Sequence, residues 1–287
     1  KVSKEELVEK AYSQDSSAAA AVLYRKVDVS FDYVQTSGFR VVTEVHERVK
    51  IYKKDGFDYA TVAKKLRKQG REKEGVFGLK ASTYNLENGK IIEYKLKSSG
   101  IFSTDLNKYY NEDKFTMPNV IEGSILEYEY KISSPFYYSM EDVTLQYDIP
   151  IKKQEVSIKI PEYFVFKSTI KGYLPVNPIS FKKPGKIRLE TKTRSTNGYT
   201  QSTSFDQGEV EFMVQTTDFI MDNVPALKAE PYVNDMDNYR SAVNYELEYV
   251  QFPRSTIESY TTTWEKVIKT IYDSDDFGGQ LNRNKYF

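Results

Sequence analysis

From about Ala20 the apolar positions recur at every second residue. Val27, Val29, Phe31 and Tyr33 alternate with Lys26, Asp28, Ser30 and Asp32; Val41, Thr43, Val45, Val49 and Ile51 alternate with Arg40, Glu44, His46, Arg48 and Lys50. The same period runs through Ile92, Tyr94 and Leu96, through Leu126, Tyr128, Tyr130 and Ile132, through Val156, Ile158 and Ile160, through Ile187 and Leu189, and through Val210, Phe212 and Val214. One wet face and one buried face is the mark of antiparallel sheets. Asn88-Gly89, between Ala81–Leu86 and Lys90–Lys97, predicts a hairpin, and Asn197-Gly198 repeats the signal. Asp55-Gly56, Glu122-Gly123, Pro184-Gly185 and Gln207-Gly208 read as further turns.

The two ends depart from this period. Ser3 followed by Glu6 is a capping-box pattern, with Leu7, Val8 and Ala11 as a short apolar stripe. Residues 215–255 read as irregular. After them Trp264, Val267, Ile268 and Ile271 fall at spacings of three and four, which puts them on one face of a helix that ends near Phe277-Gly278-Gly279. A helix this short needs a packing surface. Either that face packs on the β domain or it is shared with a following domain as an interdomain docking face. The expected architecture is all-β: a large two-layer antiparallel β-sandwich over residues 1–260, as one domain or as two β lobes meeting near Asp148-Ile149-Pro150, with short helices at both termini and a connecting helix in 261–287.

Composition sharpens this picture without changing it. The 24 Tyr and 16 Phe favour strands and supply much of the core-forming area. The 41 basic and 41 acidic residues balance, so no general steering toward nucleic acid or anionic membrane is expected. The charge is uneven along the chain, however. Residues 48–75 carry ten Lys or Arg against four Asp or Glu, and residues 206–248 carry ten acidic against two basic residues. These are solvated faces or a polar docking surface. The longest apolar stretch, Ala18–Tyr24, is far short of a membrane span. The chain begins at Lys1 rather than Met, as a processed or trimmed product would.

Candidate chemistry is sparse. There is no cysteine and His46 is the only histidine. Disulfides, Cys zinc sites and Cys–His catalysis are therefore excluded for this chain, and no G-x-S-x-G supports a Ser–His site. Asp235, Asp237 and Glu246 start a calcium-loop register, but Tyr239 and Arg240 stand where an oxygen ligand and Gly are required. The reading is no catalytic residue, no metal and no cofactor. A glycosidase-type carboxylate pair has no spacing that singles it out. Two aromatic clusters remain, Tyr109 with Tyr110 and Phe136, Tyr137 and Tyr138. They are recognition surfaces for an extracellular peptide or glycan, or they are core and strand-edge packing.

Several stretches are similar to a bacterial domain of unknown function that precedes transglutaminase-like domains in secreted proteins. They are Asp15 with Ala18–Tyr24, Val45–Ile51, Thr83–Leu86, and Met117–Val120 with Glu122-Gly123-Ser124. Then come Asn223–Leu227 with Glu230-Pro231-Tyr232, and Thr263-Trp264-Glu265 with Phe277-Gly278. The matches keep the family's order over nearly the whole chain. The resemblance implies a fragment: an N-terminal module whose Trp264 helix leads into a transglutaminase-like fold of the thiol-peptidase or transferase kind. That fold carries a Cys–His–Asp triad, none of which falls within this chain. It also implies export to the periplasm or the cell exterior. The expected role is a non-catalytic scaffold or docking module for the following domain of the same polypeptide. The alternatives are a glycan- or peptide-binding module, or a carboxylate-based glycoside-active sandwich.

Overall fold

The computed structural model describes residues 2–197, 200–260, 263–275 and 277–279. Among these residues there are sixteen strands: β1 (Ala20–Val34), β2 (Gly38–Ile51), β3 (Thr61–Gln69), β4 (Glu72–Lys73), β5 (Gly75–Glu87), β6 (Lys90–Lys95), β7 (Ile101–Asn107), β8 (Tyr110–Thr116), β9 (Ile125–Ser134), β10 (Val143–Thr144), β11 (Ile151–Pro161), β12 (Phe164–Lys171), β13 (Ile179–Asn197), β14 (Thr200–Val224), β15 (Ala242–Val250) and β16 (Glu258–Ser259). Helices α1 (Lys4–Val8) and α2 (Trp264–Asp273) flank them.

Eight strands form one large sheet in the order β13-β14-β11-β1-β2-β9-β5-β6. Every pairing in it is antiparallel except β1 with β11, which run parallel from Val22–Ile151 to Val29–Ile158. Since β11 follows Pro150 directly, the sheet continues across the place where the pattern pauses. The second layer is two four-stranded sheets, one of β10, β15, β12 and β16 and the other β4-β3-β8-β7. A single buried cluster draws on all three sheets, with Val27, Val45, Leu126 and Phe219 from the large sheet, Phe164 and Val243 from the second and Phe115 from the third. Phe39 gathers Tyr33, Phe164 and Phe252 around it at ring distances of 5.2–6.1 Å, the range in which aromatic pairs attract. The result is an all-β two-layer sandwich.

The outer face of the large sheet is covered at one end by α1. Ser3 and Glu6 close the capping box, with Glu6 N to Ser3 Oγ at 3.2 Å and Ser3 N to Glu6 Oε2 at 3.0 Å. Arg48 holds the helix down through Glu6 at 3.1 Å, and Leu7 and Val2 bury against Leu23 and Ile125. Lys50 lies under this helix, fully buried, although its place in the alternation is a polar one. Its ammonium donates to the Leu7 carbonyl at 2.8 Å and the Gly123 carbonyl at 2.6 Å, tying α1 to the turn before β9.

The Asn88-Gly89 hairpin forms as its residues predict, with φ of 49° and 74°, the left-handed pair a type I′ turn requires. Gly198 of the Asn197-Gly198 signal lies outside the described residues, while Asn197 and Thr200 pair on either side of it. Two other turn signals are overridden. Pro184-Gly185 sits inside β13 opposite Met213 and Phe212, and Gln207-Gly208 sits inside β14 opposite Glu190 and Leu189. Strand β13 is a sheet edge, where a residue without an N–H is tolerated. A Cβ on Gly185 would lie 2.7 Å from Val214, so this glycine is there for close packing and not for turning. The segment 215–255 is also more regular than its composition predicts. Strand β14 carries on to Val224 and β15 spans Ala242–Val250, so the irregular part shrinks to residues 225–241 and 251–255.

Phe219 is nearly fully buried where β14 meets β11, paired with Val156. Phe219→Ala is expected to cost about 3–5 kcal/mol of stability. Urea denaturation followed by circular dichroism measures it, and a loss well under 1 kcal/mol would mean that this junction is not core.

Candidate functional site

Two residues break the apolar face of the large sheet from inside. Arg25 is in phase with Val27, Val29 and Phe31, and Glu47 is in phase with Val45 and Val49, so the pleat turns both into the space between the layers. Arg25 Nε lies 2.9 Å from Glu47 Oε1 and Arg25 Nη1 lies 3.0 Å from Gln154 Oε1. Tyr147 donates to Glu47 Oε1 at 2.7 Å, and Tyr128 donates to Glu47 Oε2. The Arg25 guanidinium also stands 5.1 Å from the Tyr147 ring centre. Gln154 passes the network on to the Leu145 carbonyl at 2.6 Å. Burial opposes ionisation of Glu47, but the Arg25 charge and the two tyrosine hydroxyls outweigh it and hold the carboxyl below its usual range.

Above this pair is a cavity of about 250 Å³, bordered by Lys64, Glu74, Tyr130, Ser134 and Glu141. Ser134 donates to Glu74 Oε1 at 2.7 Å and the Arg67 amide donates to Glu74 Oε2 at 2.6 Å, so both oxygens of Glu74 are occupied. Burial, reinforced by the charge of Glu74, raises the Glu141 carboxyl above its usual range. The cavity falls below the ~300–1,000 Å³ typical of small-molecule sites. Its serines have no histidine beside them, and among the described residues no group of three or more acidic, His or Cys side chains is placed to hold a metal. As built, the network joins the two layers.

The aromatic residues singled out in the sequence are dispersed among different roles. Tyr109 is exposed on the β7–β8 turn, where Asn107 Oδ1 accepts from the Tyr109 and Tyr110 amides at 2.8 and 3.0 Å. Tyr110 is half-buried with Lys65 Nζ 3.9 Å from its ring centre. Phe136 is 1% exposed and carries Arg67 over its ring at 4.7 Å, which makes it a core residue and no contact for a ligand. Tyr137 leans on Phe164 at 5.3 Å, and Tyr138 stacks on Tyr260 at 6.5 Å. Lone His46 is half-buried and engaged by Glu127 at 2.9 Å.

Helix α2 is capped by Thr263, whose Oγ1 accepts from the Lys266 amide at 3.4 Å. Its apolar face does not pack on the sandwich. Trp264 is 79% exposed, Ile268 63% and Ile271 49%, with only Val267 partly covered. No described helix is long and apolar enough to cross a membrane.

Arg25, Glu47 and Lys50 were not singled out by the reading of the sequence. The signal for the first two was present, as a charged residue in phase with apolar neighbours on each of two adjacent strands. Lys50 had no such signal, because its burial depends on where α1 comes to rest.

Two measurements follow from these buried charges. Glu47→Gln leaves the Arg25 charge buried without its counter-ion and is expected to cost about 3–5 kcal/mol, read by urea denaturation. Burial depresses the Lys50 ammonium to about 8, against opposing pulls from Glu9 and Glu6. The folded state therefore releases the proton before the unfolded chain does. Stability referred to Lys50→Met should rise as pH climbs from about 8 toward 10, and be lowest below about 8. A difference that is flat across this window, in paired urea titrations, would show that Lys50 keeps its ordinary affinity for the proton.

No family model matches the sequence and no curated protein matches it. Among solved structures the fold is similar to one from Parabacteroides distasonis ATCC 8503 described as a putative protease, with a TM-score of 0.55 and 13% sequence identity. The likeness covers 80% of this chain and 41% of that one, so this chain spans about two fifths of its neighbour's length. At this identity the shared feature is the fold: this all-β sandwich also occurs as part of a longer chain.

Proposed function

We propose that the chain is a non-catalytic N-terminal module of an exported, transglutaminase-like protein, and that it serves as a scaffold against which the following domain of the same polypeptide docks. The observation that carries this reading is the open apolar face of α2. Covering a tryptophan side chain is worth on the order of 3 kcal/mol by area, and an amphipathic helix of ten residues does not persist well without a surface to lie on. The sequence resemblance puts a transglutaminase-like domain next to this helix, and the similar fold sits in a chain more than twice as long as the stretch it matches. Chemistry, on this reading, belongs to that domain, and the sandwich supplies position. The glycan- or peptide-binding alternative would rest on Tyr109, the one exposed residue of the two aromatic clusters, at 44%.

The expected outcome is that α2 amides exchange rapidly in the chain alone and are protected in the longer polypeptide. Trp264→Glu should remove that protection and make the junction cleavable by limited proteolysis, while the sandwich keeps its own stability. Rapid exchange of α2 in the longer polypeptide as well would rule out docking at this face.

A further inference from the structure

The second layer of the sandwich is not continuous. One of its sheets stops at β3, which over Thr61–Arg67 has β8 on one side and no described strand on the other; the other sheet stops at the two-residue β10. The cavity of about 250 Å³ lies where these two edges leave the large sheet uncovered, with Lys64 of β3 and Val143 and Thr144 of β10 in its lining. Its floor follows from the strand registers. Val27, Val45 and Tyr130 form one rung across β1, β2 and β9; Arg25 and Glu47 belong to the rung on one side of it, and Val29, Thr43 and Ile132 to the rung on the other. The floor beyond the Arg25–Glu47 pair is therefore mainly apolar.

Six charged residues line the cavity, and four of them are already matched within the protein. Arg25 and Glu47 pair with each other, Glu74 accepts from Ser134 and the Arg67 amide, and Asp142 accepts from Lys171 at 3.2 Å and from Asn244. Nearby Lys65 and Arg67 are taken up by the rings of Tyr110 and Phe136. Lys64 and Glu141 are left, one of each sign. Lys64 Nζ stands 5.6 Å from the Tyr130 ring centre, and neither Lys64 nor Glu141 is ion-paired with a described residue. Tyr130 itself is 3% exposed, yet its hydroxyl, on the side of Glu47, Arg25 and Glu141, has no hydrogen-bond partner among the described residues. A buried hydroxyl is normally matched. Water can meet a hydroxyl, but an ammonium and a carboxylate held apart above an apolar floor fit a molecule that carries both charges and an apolar body.

We propose that this cavity binds a small aliphatic α-amino acid, with its carboxylate on Lys64 and the Tyr130 hydroxyl, its ammonium on Glu141 and its side chain against Val27, Val45 and Ile132. A zwitterion leaves the charge balance of the cavity unchanged, whereas a bare amine would meet Lys64 and a bare carboxylate would meet Glu141 and Glu74. A molecule of this size also suits a volume too small for larger ligands. The site does not depend on what α2 docks against.

The probe is L-valine, titrated onto the chain near neutral pH while the methyl resonances of Val27, Val45 and Ile132 are followed by NMR. Saturable shifts are expected, with a dissociation constant of about 1 mM. Isobutylamine, which lacks the carboxylate, and isovalerate, which lacks the ammonium, should each bind the unaltered chain about tenfold more weakly. Lys64→Met and Glu141→Gln, at a half-buried and an exposed position, should each weaken valine about tenfold, and Glu141→Gln should leave isovalerate binding no weaker than before. The proposal is overturned if valine at about 10 mM leaves these methyls unshifted. It is equally overturned if either single-charge analogue binds as tightly as valine, or if both variants bind valine as the unaltered chain does.

Discussion

A carboxylate enclosed between two β-layers must be matched within hydrogen-bonding distance, and the interior of this protein is arranged around matching Glu47. Its counter-ion, Arg25, comes from the neighbouring strand. Its tyrosine donors come from β9 and from the segment before β11, and Gln154 of β11 steadies the guanidinium from the other side. An ordinary aliphatic core tolerates some sliding of one layer over another. A carboxylate accepting from Arg25, Tyr128 and Tyr147 does not, because any slip leaves a donor or a charge unpaired in a medium that penalises it. Glu47 thus sets the register of β1, β2, β9 and β11 together, and the position of the segment that carries Tyr147 over them.

The fold was legible wherever one face is wet and one is dry. The period-two runs located β1, β2, β6, β9, β11 and short parts of β13 and β14, and the Asn88-Gly89 and Ser3–Glu6 signals placed a hairpin and a helix start from local chemistry alone. Legibility failed where tertiary packing replaced local preference. Gly185 reads as a turn residue but is a packing residue. Pro184 reads as a breaker but lies on a sheet edge, where its missing donor is tolerated. Lys50 reads as solvated and is buried, because α1 folds over it. The apolar face of α2 was visible in its spacing, but whether the sandwich covers it was not, since spacing carries no information about what lies opposite.

The candidate site was partly legible in the same sense. Absence of cysteine and the single histidine are properties of the sequence and limit the chemistry without any structure. The Arg25–Glu47 pair was present in the phase of its strands, yet only the pairing of β1 with β2 brings the two charges together.

The parallel pairing of β1 with β11 bears on how the chain acquires its structure. Between these two strands lie β2 through β10, including the whole of the sheet built from β4, β3, β8 and β7. The centre of the large sheet therefore cannot close until the second half of the chain has been made, and closing it means joining the ends of a long loop. Topologies with such distant partners fold slowly, and in the interval β1 presents an unpaired, apolar strand edge to whatever is nearby. A nascent chain of this design is an aggregation hazard for as long as β11 is missing. Its synthesis would benefit from a holding chaperone that covers β1 until β11 arrives.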